Sequence, residues 1–121
     1  MGQNINITNI HKYFMNHNKG FVYILHAPEL DAYKIGVSKD VDKRIKQLQT
    51  GNTCDILLVD KFLSNYPYKI ESCLHRKYNM ENVKGEWFHL SNEQVQSFKM
   101  DCIKYERNFM VLEEMDNPFF K

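Results

Sequence analysis

Four polar side chains lie within or beside apolar segments, where folding alone does not require them: Tyr23, Lys34, Arg44 and Glu71. A guanidinium fork matches the oxygens of a phosphate, and a carboxylate is a preferred ligand of a hard divalent cation. Each residue also has an ordinary structural interpretation, because a strand tyrosine usually belongs to a core and an Arg–Glu pair can be a surface ion pair. Taken singly, the four residues therefore do not predict a function.

The first half of the chain predicts the elements that must position these side chains. Residues 21–25 form a run of β-branched and aromatic residues that is typical of a buried strand. Residues 33–37 form a second such run after a short loop, which favours an antiparallel hairpin. Asp40 is a suitable N-cap for a helix that ends at Gly51. Tyr23 and Lys34 are therefore expected on neighbouring strands.

The second half predicts a third strand over 55–63 and a helix that begins at Pro67. Residues 79–85 are expected to form a loop, and 86–90 a short extended piece. We therefore expect an α/β (α+β) fold, in which a small three-stranded sheet, mixed or antiparallel, is flanked by helices. A long C-terminal helix completes the prediction.

This last helix is predicted by a capping box between Ser91 and Gln94. An apolar stripe follows at spacings of three and four residues and can pack in two ways. Packing against the chain's own sheet is the favoured interpretation, and a homodimer seam is the alternative. The stripe consists of Val95, Phe98, Cys102, Tyr105, Phe109 and Leu112.

The two predicted strands carry a motif. Val22-Tyr23-Ile24, followed by Lys34-Ile35-Gly36, resembles the paired strand signatures of the GIY-YIG nuclease superfamily. Arg44 and Glu71 fall where that superfamily has its helix arginine and its metal-binding glutamate. Lys34 stands where most members have tyrosine, as it does in some restriction enzymes of the superfamily.

Three longer segments are similar to one branch of this superfamily, the bacteriophage T-five-type DNA-binding domain. That branch is shared with meiotically up-regulated proteins and is found in phages and large viruses. The resemblance covers about 20–98, and the branch's late asparagine has no clear match. Asn79, Asn82 and Glu86 are the candidates for it. The three segments are Tyr33-Lys34-Ile35-Gly36, Ile70-Glu71-x-x-Leu74-His75 and Gly85-Glu86-Trp87-Phe88.

The resemblance implies a divalent-metal-dependent DNA endonuclease, or alternatively an inactive DNA-binding module of the same fold. Glu71 would hold Mg²⁺ (or Mn²⁺), which stabilises the leaving oxygen. Tyr23 would be the general base, and Lys34 would tune Tyr23 or orient the attacking water. Arg44 would clamp the scissile phosphate. His75, one helical turn after Glu71, would be a second ligand, a proton shuttle or a support for Glu71.

The net charge of +1 does not by itself indicate a nucleic-acid partner, but the basic residues are clustered. Such clusters are compatible with phosphate binding, and equally with solvated helix faces. The candidate DNA contacts are Lys39, Lys43, Lys46, Arg76 and Lys77.

The length fits one domain, for which we expect an N-terminal arm at 1–19, a nuclease-like domain at 20–98 and a helical extension with an acidic tail at 99–121. Three widely spaced cysteines argue against a secreted disulfide framework. No segment is apolar enough to predict a membrane partner. We expect an intracellular setting, in cytoplasm or nucleus, which includes that of a viral protein in a host cell.

Overall fold

The central sheet has five antiparallel strands, in the spatial order β3-β1-β2-β5-β4. The strands are β1 (Gly20–Ala27), β2 (Ala32–Ser38), β3 (Leu57–Ser64), β4 (Asn82–Lys84) and β5 (Trp87–Phe88). The predicted β1–β2 hairpin is present, and Val22 pairs with Val37 near its open end.

The prediction of a three-stranded sheet was wrong, because a short hairpin at 82–88 adds β4 and β5. These strands have three and two residues, which is too few for an alternating pattern to be visible in the sequence. Pairing with the edge of β2 makes them strands, since Tyr33 lies opposite Phe88 and Lys34 opposite Trp87.

Four helices complete the fold, and the computed structural model describes residues 19–116. They are α1 (Val41–Thr50), α2 (Pro67–Lys77), α3 (Asn92–Gln96) and α4 (Phe98–Asp116). The predicted N-terminal arm lies outside the described residues except for Lys19. No helix within the described part of the chain is both long and apolar enough to cross a membrane.

The two faces of the sheet are covered by different helices. Val22, Ile24 and Ile35 face α2 and α4 and pack in one core cluster with Ile70 and Leu74. Residues directly opposite each other in an antiparallel pair share a face. The alternate residues of the hairpin, such as Tyr23 and Leu25, therefore point towards α1.

A second core cluster lies on the α1 side and contains Tyr23 and Leu25 with Val41 and Ile56. Tyr23 pairs with Gly36, and Leu25 pairs with Lys34. Tyr23 and Lys34 consequently share the face of the sheet that α1 covers.

The predicted last helix is divided at Ser97 into α3 and α4. The Ser91–Gln94 capping box is present at its start. Most of the apolar stripe packs on the chain's own core, whereas Leu112 is 52% exposed. The homodimer through this helix stays a prediction. The stripe residues that contact the core are Val95, Phe98, Cys102, Tyr105 and Phe109.

Candidate active site

The phenol of Tyr23 occupies the space directly above Gly36. A Cβ atom at Gly36 would lie 2.4 Å from Tyr23 Oη and 3.0 Å from Glu86 Oε1. Only glycine leaves room for both oxygens at this position. The hydroxyl of the candidate base and a carboxylate therefore meet over one point of β2.

Glu71, His75 and Glu86 form a cluster in which one ligand atom of each lies within 4.8 Å of the others. Glu71 and His75 are four residues apart on α2, so the helix presents both in the same direction. Glu86 comes from the turn between β4 and β5. All three side chains are partly buried.

His75 is oriented by the backbone of β2 at Ile35, the residue that follows the two paired with β5. Its Nε2 lies 2.9 Å from the carbonyl oxygen of Ile35, whose own N–H donates to the carbonyl of Glu86 at 3.2 Å. A carbonyl only accepts, so Nε2 carries the proton and Nδ1 holds the lone pair. A histidine fixed in this way is typical of metal-ligating histidines.

Glu86 is positioned by a two-residue turn. Gly85 adopts a φ of +57°, a conformation that glycine adopts without strain. Asn82 Nδ2 donates to the carbonyl oxygens of Gly85 at 2.8 Å and Trp87 at 3.1 Å, which braces the turn. Of the three candidates for the late asparagine, Glu86 reaches the cluster, Asn82 supports it and Asn79 is exposed.

The pKa of Glu71 is raised, first by burial and then by the nearby carboxylate of Glu86. His75 and Lys34 act in the opposite direction. A divalent cation between Glu71 and Glu86 would remove the repulsion between the two carboxylates. These two carboxylates and the ring of His75 are the side chains that could hold the predicted metal.

Lys34 is buried, with 8% of its surface exposed. Its Nζ lies 3.4 Å from Glu86 Oε1. The ammonium also lies 5.6 Å from the centroid of the Trp87 ring. The sequence predicts that this lysine tunes Tyr23 or orients the attacking water. In the structure its ammonium contacts the carboxylate of Glu86.

The cation that acts on Tyr23 is Arg44. Burial raises the pKa of the Tyr23 phenol, and a hydrogen bond and the charge of Arg44 oppose this increase. Glu86 and Glu71 raise the pKa further. Arg44 Nη1 also donates to Gln47 Oε1 at 3.4 Å, one turn along α1. All five candidate catalytic residues thus lie around one region, together with Glu86.

The candidate DNA contacts fall into two groups. Lys39, Lys43 and Lys46 are exposed at the start of α1 and along it, on the helix that carries Arg44. Lys77, on α2, makes an ion pair of 2.6 Å with Asp101 of α4. The fifth candidate, Arg76, is exposed on α2.

A sequence model of the T5orf172 domain matches residues 20–103, which include every residue of the candidate site. The chain belongs to the T5orf172 domain family. The match begins with β1 and ends within α4. No curated protein and no solved structure gives a significant match.

The T5orf172 domain is related to nuclease-associated modules, and membership suggests a nuclease or DNA-binding role. The predicted resemblance to the T-five-type DNA-binding domain is thereby confirmed at the level of the domain family. The sequence named Glu86 only as one of three candidates for the late asparagine, and the structure brings it to Glu71 and His75. A signal that singles it out is the glycine before it, which is typical of a turn.

Proposed function

We propose that this T5orf172 domain is a divalent-metal-dependent DNA endonuclease with a site of the GIY-YIG type. The observation that carries the proposal is that the Tyr23 hydroxyl and Glu86 meet over Gly36, where Glu86 also belongs to the cluster with Glu71 and His75. Phosphodiester hydrolysis requires a base for the attacking water, charge neutralisation on the phosphate and stabilisation of the leaving oxygen, and a phenol, a guanidinium and a cluster of metal ligands can supply these. A lysine is rarely as buried as Lys34 unless it is paired, and its partner is Glu86 of that cluster.

Tyr23, in its phenolate form, accepts a proton from the attacking water in this mechanism. Its hydroxyl is held rigidly, because the ring is 1% exposed and packs in the core under α1. Arg44 favours the phenolate and offers further N–H donors to a phosphate. One guanidinium therefore serves the base and the developing charge on the substrate.

Glu71 and Glu86 would hold the cation through oxygen atoms, and His75 through Nδ1. Such an ion, Mg²⁺ or Mn²⁺, supplies Lewis-acid stabilisation of the leaving oxygen when bound. The nitrogen donor suits Mn²⁺ at least as well as Mg²⁺, which prefers oxygen ligands. His75 contributes by keeping its ring fixed against the Ile35 carbonyl.

DNA is the proposed partner, and α1 is the proposed contact element. Lys43 and Lys46 lie on the same helix as Arg44 and are exposed. Phosphate contacts from such lysines position a duplex or strand without reading its sequence. They would hold the backbone while Arg44 engages the scissile phosphate.

A second candidate function is DNA binding without cleavage. The contact between Lys34 Nζ and Glu86 Oε1 favours it, because an ammonium beside that carboxylate supplies part of the charge that a metal would bring. In that case the ion pair is the permanent state of the site, and the basic face of α1 remains as a phosphate-binding surface.

The test is incubation of supercoiled plasmid with the protein and Mg²⁺ or Mn²⁺, beside the variants Glu71→Ala and Tyr23→Phe. We expect nicking or linearisation by the wild type alone, with DNA binding retained by both variants. Absence of cutting by every form, with a retained mobility shift, would contradict the endonuclease and support the binding module. Equal cutting by wild type and variants would indicate a contaminating nuclease.

A further inference from the structure

A cavity of about 410 Å³ opens beside the candidate active site, on the α1 side of the sheet. Its walls are largely apolar and include the Trp87 indole. The polar residues that line it are Asn52, Lys84 and His89. An apolar cavity with a few convergent polar groups is the usual form of a small-molecule or base-binding site. Its apolar lining residues are Leu30, Ala32, Leu48, Val83 and Trp87.

Lys34 connects this cavity to the candidate metal ligands. It lies opposite Trp87 in the β2–β5 pair, so both side chains are on the same face. Its ammonium is 5.6 Å from the indole centroid and 3.4 Å from Glu86 Oε1. On α1, Leu48 follows Arg44 by one turn. A ligand in the cavity would therefore adjoin a phosphate held by Arg44.

We propose that the cavity takes one unpaired base of a DNA strand whose backbone lies at the Arg44 site. This inference rests on the proposed function, because it names the form of DNA that the site accepts. A volume of about 410 Å³ accommodates a purine with space to enter. The Trp87 indole offers an aromatic surface for stacking, and the Lys34 ammonium lies beside the adjoining backbone.

The polar border can accept hydrogen bonds from a base. His89 Nδ1 lies 2.8 Å from the carbonyl of Asp31, so Nδ1 is protonated and Nε2 holds the lone pair. Asn52 donates its amide to the carbonyl of Leu48 at 2.9 Å, which leaves Oδ1 as an acceptor. Two acceptors suit the exocyclic amino groups of adenine, cytosine or guanine.

The consequence is a preference for DNA that contains unpaired nucleotides. Extracting a base from a matched duplex requires unpairing and unstacking, whereas a single strand, flap or mismatch has already lost part of that stabilisation. The domain should accordingly bind a single strand more tightly than a blunt duplex of the same sequence.

Trp87 is the only tryptophan of the chain, so its fluorescence reports on the cavity. The experiment titrates the Glu71→Gln protein, in which cutting is suppressed, with a short single-stranded oligonucleotide and with its blunt duplex. We expect quenching by the single strand and an affinity about tenfold higher than for the duplex, as one stacked base contributes. A strand with an abasic nucleotide at every position should not quench.

Val83→Phe tests the cavity itself, because the larger side chain fills its border. Val59→Phe is the matched control, since both valines are exposed strand residues, at 51% and 41%, and Val59 lies on β3 at the opposite edge of the sheet. We expect Val83→Phe to weaken single-strand binding about tenfold and to reduce quenching. Val59→Phe should leave both unchanged.

Equal affinity for single strand and duplex, or an unchanged Val83→Phe variant, would overturn the base-binding cavity. Efficient plasmid cutting by the wild-type protein would then leave the endonuclease proposal intact. Conversely, quenching of Glu71→Gln by single strands, together with no cutting by the wild-type protein, would support the cavity and contradict the endonuclease.

Discussion

The Tyr23 ring lies on Gly36, its partner across the β1–β2 hairpin, so closely that a Cβ atom at Gly36 would lie 2.7 Å from Tyr23 Cζ. Because Gly36 of β2 pairs with Tyr23 of β1 and has no side chain, the phenol of Tyr23 can pack directly against its backbone. The Glu86 carboxylate reaches the same point from the β4–β5 turn. Gly36 is therefore part of the site's construction.

Gly36→Ala should lower both stability and activity. The new methyl group has to displace a buried ring, and overpacking of this kind costs about 1–3 kcal/mol. Gly51→Ala is the control, because no atom lies within 4 Å of a Cβ there. Thermal unfolding and plasmid cutting measure the two effects. A Gly36→Ala protein as stable and active as Gly51→Ala would show that the close approach has no consequence.

Tyr23→Phe should reduce the rate of cutting by at least about a hundredfold, which is the usual contribution of a general base. The wild-type rate should rise with pH above neutrality, because the pKa of Tyr23 is raised by burial and the phenolate fraction grows with pH. Single-turnover rates at several pH values measure this. Tyr33→Phe is the matched control, since Tyr33 is buried on the opposite face. A pH-independent wild-type rate would argue against Tyr23 as the base.

Glu71→Gln should raise the melting temperature of the metal-free protein at pH 7 by a few degrees. The folded-state pKa of Glu71 is raised above its ordinary 4.5, first by burial and then by Glu86, so ionisation opposes folding. The protonated Glu71 carboxyl contributes stability that is fully present below about pH 4.5 and is lost as pH rises through the folded-state pKa. The difference between variant and wild type should therefore vanish in acid.

The same melting experiment tests the cation. Mn²⁺ should stabilise the wild type, because a ligand that binds only the folded state raises its stability. It should not stabilise Glu71→Gln to the same extent. If Glu71→Gln melts lower than the wild type in chelator at pH 7, ionisation of Glu71 does not oppose folding, and the argument from burial and from Glu86 fails.

Arg44→Lys should reduce cutting by more than about tenfold although it keeps the positive charge, because lysine cannot present the planar fork. Arg44 interacts with the Tyr23 hydroxyl and with Gln47 Oε1 and would also engage the phosphate. Single-turnover rates compared with Arg44→Ala distinguish charge from geometry. Near-complete activity of Arg44→Lys would show that charge alone suffices.

The salt dependence of DNA binding should separate the two basic groups. Lys43→Gln and Lys46→Gln should each reduce the slope of log affinity against log salt by about one unit, as loss of one phosphate contact does. Lys77→Gln should change the slope less, since its amino group pairs with Asp101. Its main effect should be on stability, at about 0.2–1 kcal/mol. Equal slopes for all three variants would contradict the assignment of α1 as the contact element.

The sequence by itself determined the elements that have strong local signals. The β1–β2 hairpin follows from two apolar runs, and Asp40 caps α1 by accepting from the Lys43 N–H at 3.0 Å. The Ser91–Gln94 capping box is equally local. Motif spacing also indicated the domain family, because Tyr23, Lys34, Arg44 and Glu71 must keep fixed separations to meet in space.

Only the tertiary structure determined that β4 and β5 form and where the carboxylate of Glu86, in the turn between them, is placed. A three-residue and a two-residue strand have no stable pattern of their own and exist because β2 offers an edge to pair with. That pairing brings Glu86 to Glu71 and gives Lys34 its partner, across separations that no local rule encodes. Long-range contacts of this kind depend on the whole sheet, so the sequence could name Glu86 as one of three candidates but could not place it beside Glu71.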